Sequence, residues 1–109
     1  MNAIESIMER TSIRAYKPKQ IDNEALQKIL QAGMAAPVGS NAYDALHMTV
    51  VQDRDLFPII DKAVSDMIFS MLGKRMDKAF GAPTMVFISS KPAIMPGIEY
   101  ANAACVLEN

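Results

Sequence analysis

The sequence predicts a single α+β domain in which helices pack on a small central sheet. Four stretches carry apolar residues at helical spacing, and two short apolar runs are typical of strands. The chain has 109 residues, of which 50% are hydrophobic and 21% are charged, so it can build one packed core but not two domains. Because a folded chain of this length buries only about 60–70% of the surface that its unfolded form exposes, we expect a partner subunit or a bound cofactor to add stability.

Four segments are predicted to be helical: residues 2–9, 23–35, 55–72 and 98–109. Asp22 or Asn23 can cap the second helix. Pro58 is tolerated only in the first turn of the third helix, and Gly73 is a natural stop after it. The apolar pattern of the last helix is still strong at Asn109, which predicts a domain that is incomplete at its C-terminus.

Two short runs predict the strands. Residues 47–51 are β-prone and indicate a buried strand, whereas residues 83–89 have the continuous apolar character of a central strand. Turn-forming residues crowd positions 37–45 and predict a loop, and residues 74–82 are expected to hold at most one helical turn. Two strands alone would leave exposed sheet edges.

The charge balance and the cysteine count argue against several functions. Eleven basic and twelve acidic residues give a formal net charge of −1, which supplies no attraction to nucleic acid or to anionic lipid. The lone Cys105 has no intrachain disulfide partner, and no Cys/His cluster has zinc spacing. No apolar stretch has the length of a signal peptide or a membrane span. We therefore expect a cytoplasmic protein without a metal, nucleic-acid or membrane partner.

Arg10, Ser12 and Arg14 alternate in an extended stretch after the first helix, where every second side chain points the same way. Two guanidinium groups and a hydroxyl would then converge, and guanidinium groups match the geometry of a phosphate. The alternative is a solvated turn with basic surface residues. Lys74 and Arg75 are interpreted as a solvated helix end, with a second phosphate contact as the alternative.

The loop after the second helix is the other candidate site. The preceding helix ends in small residues, so another flat surface could approach its backbone closely. Asn41 could then offer both a donor and an acceptor to a heterocycle. The alternative is a plain connecting loop. His47 has no carboxylate or serine at a diagnostic spacing, so we predict no catalytic side chain.

Three segments in this order resemble the FMN-dependent nitroreductase family: IMERTSIRAY at 7–16, ILQAGMAAPVGSN at 29–41 and FGAPT at 80–84. The first looks like the family's R-x-S-x-R phosphate segment and the second like its A-P-S-x-x-N-x-Q loop. The resemblance covers about the first half of a usual member. It implies that Arg10, Ser12 and Arg14 hold the FMN phosphate and ribityl chain, with Thr11 beside them.

The resemblance also implies a symmetric homodimer with each flavin at the subunit interface. The residues that would contact the flavin bound mainly by the other subunit are Pro37, Val38, Gly39 and Asn41. Two positions depart from the family pattern, because Val38 stands where Ser is common and Tyr43-Asp44 where Gln-Pro is common. Contacts to the pyrimidine edge of the flavin are therefore left open.

The activity implied by the resemblance is that of an NAD(P)H oxidoreductase. The flavin N5 would accept a hydride from NAD(P)H and pass reducing equivalents to a nitroaromatic, a quinone or a similar acceptor, and no side-chain nucleophile is required. The alternative is a catalytically silent dimerisation or interaction module, a truncated remnant of the family. Flavin colour in the purified protein distinguishes the two.

Overall fold

Four helices, two strands and a pair of short 3-10 turns make up the described part of the chain. The computed structural model describes residues 1–75 and 80–109. The elements in order are α1 (Ala3–Glu9), α2 (Asn23–Met34), the 3-10 turns (Gly39–Ala45), β1 (Leu46–Val51), α3 (Phe57–Leu72), β2 (Met85–Ser90) and α4 (Ile98–Glu108). This arrangement confirms the α+β prediction. Much of the helical turn considered for 74–82 lies outside the described residues.

The helix ends follow from local sequence. Asn2 and Glu5 form a reciprocal capping box at the start of α1. The Asp22 carboxylate accepts a hydrogen bond from the Ala25 backbone N–H at 2.7 Å, so Asp22 is the cap of α2. Gly73 ends α3 in the left-handed conformation, with φ of 67°. Within the described ranges, no helix is long and apolar enough to cross a membrane.

The strands form a two-stranded antiparallel sheet. The register runs from Leu46 opposite Ser90 to Val51 opposite Met85. No residue of either strand is fully buried, and Phe87 is 40% exposed. The predictions of a buried first strand and a central second strand are therefore wrong for this chain, because the described residues place no third strand beside either one.

The core lies where α4 packs against α2 and β2. Its buried residues are Leu26, Gly33, Ala36, Asn102 and Val106. A methyl group on Gly33 would lie 3.4 Å from Val106 Cγ1, so the small-residue end of α2 does allow close approach. The surfaces that approach it within this chain are helix α4 and the Met48 side chain of β1, whose Sδ would lie 3.3 Å from that methyl group.

The chain exposes more surface than a compact monomer of its size. Its accessible area is 8438 Å², against roughly 5,900 Å² expected for 11.9 kDa. The radius of gyration is 15.6 Å, against about 13 Å for a compact domain. Helix α1 contains no buried residue. The apolar surface that the fold leaves open is therefore available to another structure.

Candidate functional site

The loop that follows α2 is tied to the core at both ends. The Gly39 backbone N–H donates a hydrogen bond to Asn102 Oδ1 at 2.9 Å, and Asn102 on α4 is buried. The Tyr43 hydroxyl donates to the carbonyl of Ala36, which has no exposed surface, at 2.8 Å. These two bonds fix the path of residues 37–41 across the end of α4. The loop is thus held against the core at two points.

Two non-glycine residues in this loop adopt the left-handed conformation. Ser40 has φ of 59° and Asn41 has φ of 53°. Such a conformation costs on the order of 1 kcal/mol or more for each residue, and it persists only where surrounding structure holds it. Strain of this kind concentrates at functional sites. Asn41 remains exposed, so its amide is free to meet a ligand.

Gly39 packs closely against α4. A methyl group at this position would lie 2.9 Å from Ile98 Cδ1 and 3.4 Å from Asn102 Oδ1. Any side chain would therefore push the loop away from α4 or displace Ile98. Pro37 is exposed and Val38 is half-buried, so the four predicted flavin contacts lie in one loop whose centre packs against α4.

The predicted phosphate residues lie in the N-terminal arm, residues 1–16, and are exposed. Within the described ranges, the side chains of Arg10, Thr11, Ser12 and Arg14 form no hydrogen bond or ion pair. Within the described ranges, the first hydrogen bonds to distant residues follow the arm, where Arg54 Nη2 donates to the Pro18 carbonyl at 2.5 Å and Gln20 Nε2 donates to the Pro83 carbonyl at 2.8 Å. The structure therefore leaves the donor groups free for a ligand but does not join them to loop 37–41.

The interpretation of Arg75 as part of a helix end is supported by its contacts. Arg75 Nη1 lies 2.9 Å from Asp66 Oδ1, and its guanidinium lies 4.9 Å from the centre of the Phe69 ring. Hydrogen bonds from Lys62 and then from Arg75 hold the pKa of Asp66 below its usual value of 3.8. Arg75 is thus engaged at the end of α3 rather than free like the arginines of the arm.

Sequence reasoning missed Asn102 and Tyr43, the two side chains that hold the loop. The signal for Asn102 was present, because it lies four residues after Ile98 and four before Val106, on one stripe of α4. A polar residue on an apolar helical stripe is expected to have a buried hydrogen-bond partner. No spacing rule links Tyr43 to Ala36.

Comparison with known proteins agrees with the arrangement of these elements. The sequence matches the nitroreductase family over residues 7–109. A nitroreductase of Bacteroides fragilis, solved with bound FMN, has 28% identity to the chain and a TM-score of 0.84, over 99% of this chain and 62% of that one. An FMN-dependent nitroreductase of Clostridium difficile has 30% identity and a TM-score of 0.71, over 96% of this chain and 54% of that one.

A sequence relative in Archaeoglobus fulgidus is provisionally named an NADH dehydrogenase/NAD(P)H nitroreductase. It is 38% identical over 60 residues, which are 55% of this chain and 34% of the relative. The chain thus spans about a third of that relative and between half and two thirds of the two solved structures. The family match extends through the arm, the strained loop and α4, so the chain belongs to the nitroreductase family.

Proposed function

We propose that the chain functions in a cytoplasmic, FMN-dependent NAD(P)H oxidoreductase that reduces nitroaromatics, quinones or similar acceptors. The observation that carries this proposal is the loop at 37–41, which α4 holds in a strained conformation with Asn41 exposed. Its support from relatives is the FMN bound to the Bacteroides fragilis nitroreductase. The lone Cys105 is consistent with a reducing compartment.

Arg10, Ser12 and Arg14 are the proposed ligands of the FMN phosphate and ribityl chain, with Thr11 beside them. Two guanidinium groups, which can only donate, and a hydroxyl, which can donate, suit a phosphate dianion. All three side chains are exposed and have no competing protein partner within residues 1–75 and 80–109. The donor chemistry of the arm therefore fits the cofactor.

The proposed assembly is a homodimer in which Pro37, Val38, Gly39 and Asn41 contact the flavin bound mainly by the partner subunit. The accessible area of one chain exceeds that of a compact monomer by about 2,500 Å², and an obligate dimer that buries about 2,000 Å² in total covers about 1,000 Å² on each partner. Light scattering at micromolar concentration should give the mass of a dimer. A folded monomer at that concentration would contradict the assembly.

FMN supplies the redox chemistry when bound, because its N5 can accept a hydride from NAD(P)H and return reducing equivalents to an acceptor. The residues of this chain bind and orient the cofactor. The arm would hold the phosphate through charged donors, and the loop would set the position of the ring through a backbone already fixed to Asn102. We assign no side chain a role in proton transfer.

A second candidate is a catalytically silent dimerisation or interaction module. The exposed arm favours it, because no hydrogen bond joins the proposed phosphate ligands to loop 37–41 in the described structure. The visible spectrum separates the two candidates. A yellow protein with flavin absorbance supports the oxidoreductase, whereas a colourless dimer that does not take up added FMN supports the silent module.

FMN binding by Arg14→Ala and Lys19→Ala variants tests the residue assignment. A charge-assisted hydrogen bond to phosphate contributes roughly 1.5–3 kcal/mol, so Arg14→Ala should raise the dissociation constant by about tenfold or more. Lys19→Ala removes the same charge from an exposed residue of the same N-terminal region and should change it little. Equal losses would show that long-range charge explains the binding.

Riboflavin provides a second control because it lacks the phosphate. The unaltered chain should bind FMN more tightly than riboflavin, and Arg14→Ala should reduce that preference. Equal affinity of the unaltered chain for the two flavins would overturn the assignment of Arg10, Ser12 and Arg14 to the phosphate.

A further inference from the structure

A cavity of about 500 Å³ lies between the 3-10 turns and the start of α4. Ile94, Met95 and Ile98 supply apolar walls, and the loop supplies Gly39 and Ser40. The cavity therefore adjoins the loop that we propose to contact the flavin. Its size and apolar character suit a substituted aromatic ring.

Glu99 gives the cavity a charged side chain. Among the residues of the described structure that line the cavity, Glu99 alone carries an ionisable side chain. Its carboxylate oxygen Oε2 is buried and has no hydrogen-bond partner. Leaving a carboxylate oxygen without a donor is unfavourable, and a charged donor satisfies it better than a neutral one.

The position of Glu99 in α4 adds to this argument. Glu99 lies in the first turn of the helix, at the positive end of the helix dipole. Asn102, on the same helix, already uses its Oδ1 to accept from Gly39. Glu99 therefore supplies the charged acceptor among the described residues that line the cavity.

We propose that this cavity receives the electron acceptor and that Glu99 makes it select aromatic acceptors bearing an ammonium or amine substituent. The inference rests on the proposed function, because the acceptor must lie beside the flavin that the loop is proposed to contact. Recognition involves an N–H donor on the ligand, the Glu99 carboxylate as acceptor, and apolar contact between the ring and the cavity wall. Glu99 acts here as a specificity residue.

The first experiment measures ligand binding without flavin. Benzylammonium, benzyl alcohol and benzoate have similar rings and differ in charge, and calorimetry or NMR titration at pH 7 gives their dissociation constants. We expect benzylammonium to bind about tenfold more tightly than benzyl alcohol and benzoate to bind most weakly. Glu99→Gln keeps the shape of the side chain and should abolish the preference.

Glu108→Gln is the matched control, because Glu108 is an exposed residue of the same helix and the charge change is the same. This variant should keep the preference for benzylammonium. Equal behaviour of the two variants would assign the effect to net charge and overturn the proposal. Weaker self-association of Glu99→Gln in sedimentation would assign Glu99 to a contact between copies and would also overturn it.

The second experiment uses the FMN-loaded protein with 4-nitrobenzylammonium and 4-nitrobenzyl alcohol as acceptors. Glu99→Gln should raise KM for the cationic acceptor about tenfold, leave KM for the alcohol unchanged and leave the dissociation constant of FMN unchanged. A changed FMN affinity would place Glu99 against the flavin and overturn the proposal. If neither acceptor is reduced while the benzylammonium preference persists, the proposed function fails and the Glu99 site is supported.

Discussion

The N-terminal arm and the loop at 37–41 are the two parts of the proposed flavin site, and they differ in how the chain supports them. The loop is bonded to buried Asn102 and holds two residues in a strained conformation. The arm is exposed along its whole length, and α1 buries no residue. The loop is therefore organised before a ligand arrives, whereas within the described chain the side chains of Arg10, Ser12 and Arg14 have no hydrogen-bond partner to hold them.

This difference indicates which part of the proposed site a bound ligand or a partner subunit would have to order. A ligand that meets the loop finds a backbone already fixed in place, so little ordering entropy is lost. A phosphate that meets the arm must order the side chains of Arg10, Ser12 and Arg14 as it binds, which weakens the gain from their charges. In the proposed dimer, a second copy that covers α1 would reduce that loss.

The largest expected effect is a loss of stability on substitution in the packed region, compared with the same kind of substitution in the arm. Leu26→Ala removes a buried side chain of α2 and should lower the free energy of unfolding by about 2–5 kcal/mol. Ile7→Ala, at a position 69% exposed in α1, should lower it by less than about 0.5 kcal/mol. Urea unfolding measures both. An equally large loss for Ile7→Ala would show that α1 is buried in solution, and the comparison would fail.

Asn102→Ala should have the next largest effect. It leaves the part-buried Gly39 N–H without its acceptor, which costs about 1–3 kcal/mol. Amide exchange at residues 39–45 should also become faster, whereas exchange in α1 should not change. Asn23→Ala, at an exposed position, is the control. Unchanged exchange in the loop would show that α4 does not hold it.

The caps of α1 and α2 can be compared by removing each one, and the larger expected change in unfolding free energy is about 1 kcal/mol. Asp22→Ala removes the cap of α2, which packs in the core, and should lower the unfolding free energy of the whole chain by about 1 kcal/mol. Asn2→Ala removes the cap of α1 and should speed amide exchange at residues 3–9 without changing the midpoint of unfolding. A global loss for Asn2→Ala would show that α1 folds together with the core.

The smallest effect concerns Asp66, whose partners are Lys62 and Arg75. Because the pKa of Asp66 is lowered in the folded state, its pairs stabilise the fold above the usual value of 3.8, and that contribution is lost as the pH falls through the folded-state pKa. Asp66→Asn should therefore reduce stability slightly at pH 7 and not at pH 2, and less in high salt. An equal change at both pH values would contradict this reasoning.

Local sequence predicted the helices and their ends. Asp22, Pro58 and Gly73 act on backbone groups within four residues, so their roles in α2 and α3 could be inferred from spacing alone. The order of the motifs at 7–16 and 29–41 was sufficient to indicate the family, which the match over residues 7–109 confirmed. The roles of Arg10, Thr11, Ser12 and Arg14 remain predictions.

The exposure of the strands could not be predicted in the same way. The apolar run at 83–89 is typical of a central strand, and whether its faces are covered depends on other elements. The structure leaves Phe87 40% exposed because only β1 pairs with β2 in the described chain. An apolar run indicates that a strand needs to be buried. Whether the same chain buries that strand depends on how its other elements pack.

The α+β class, the positions of the helices, the turn-rich loop and the donor-rich arm could all be inferred from the sequence, because each depends on residues close together in the chain. That Asn102, 63 residues after Gly39, holds the loop became visible in the folded chain. The folded chain also shows that Ser40 and Asn41 adopt the left-handed conformation and that Glu99 lines a cavity beside them. These features depend on contacts between α4 and the loop, and such contacts form only when distant segments pack together.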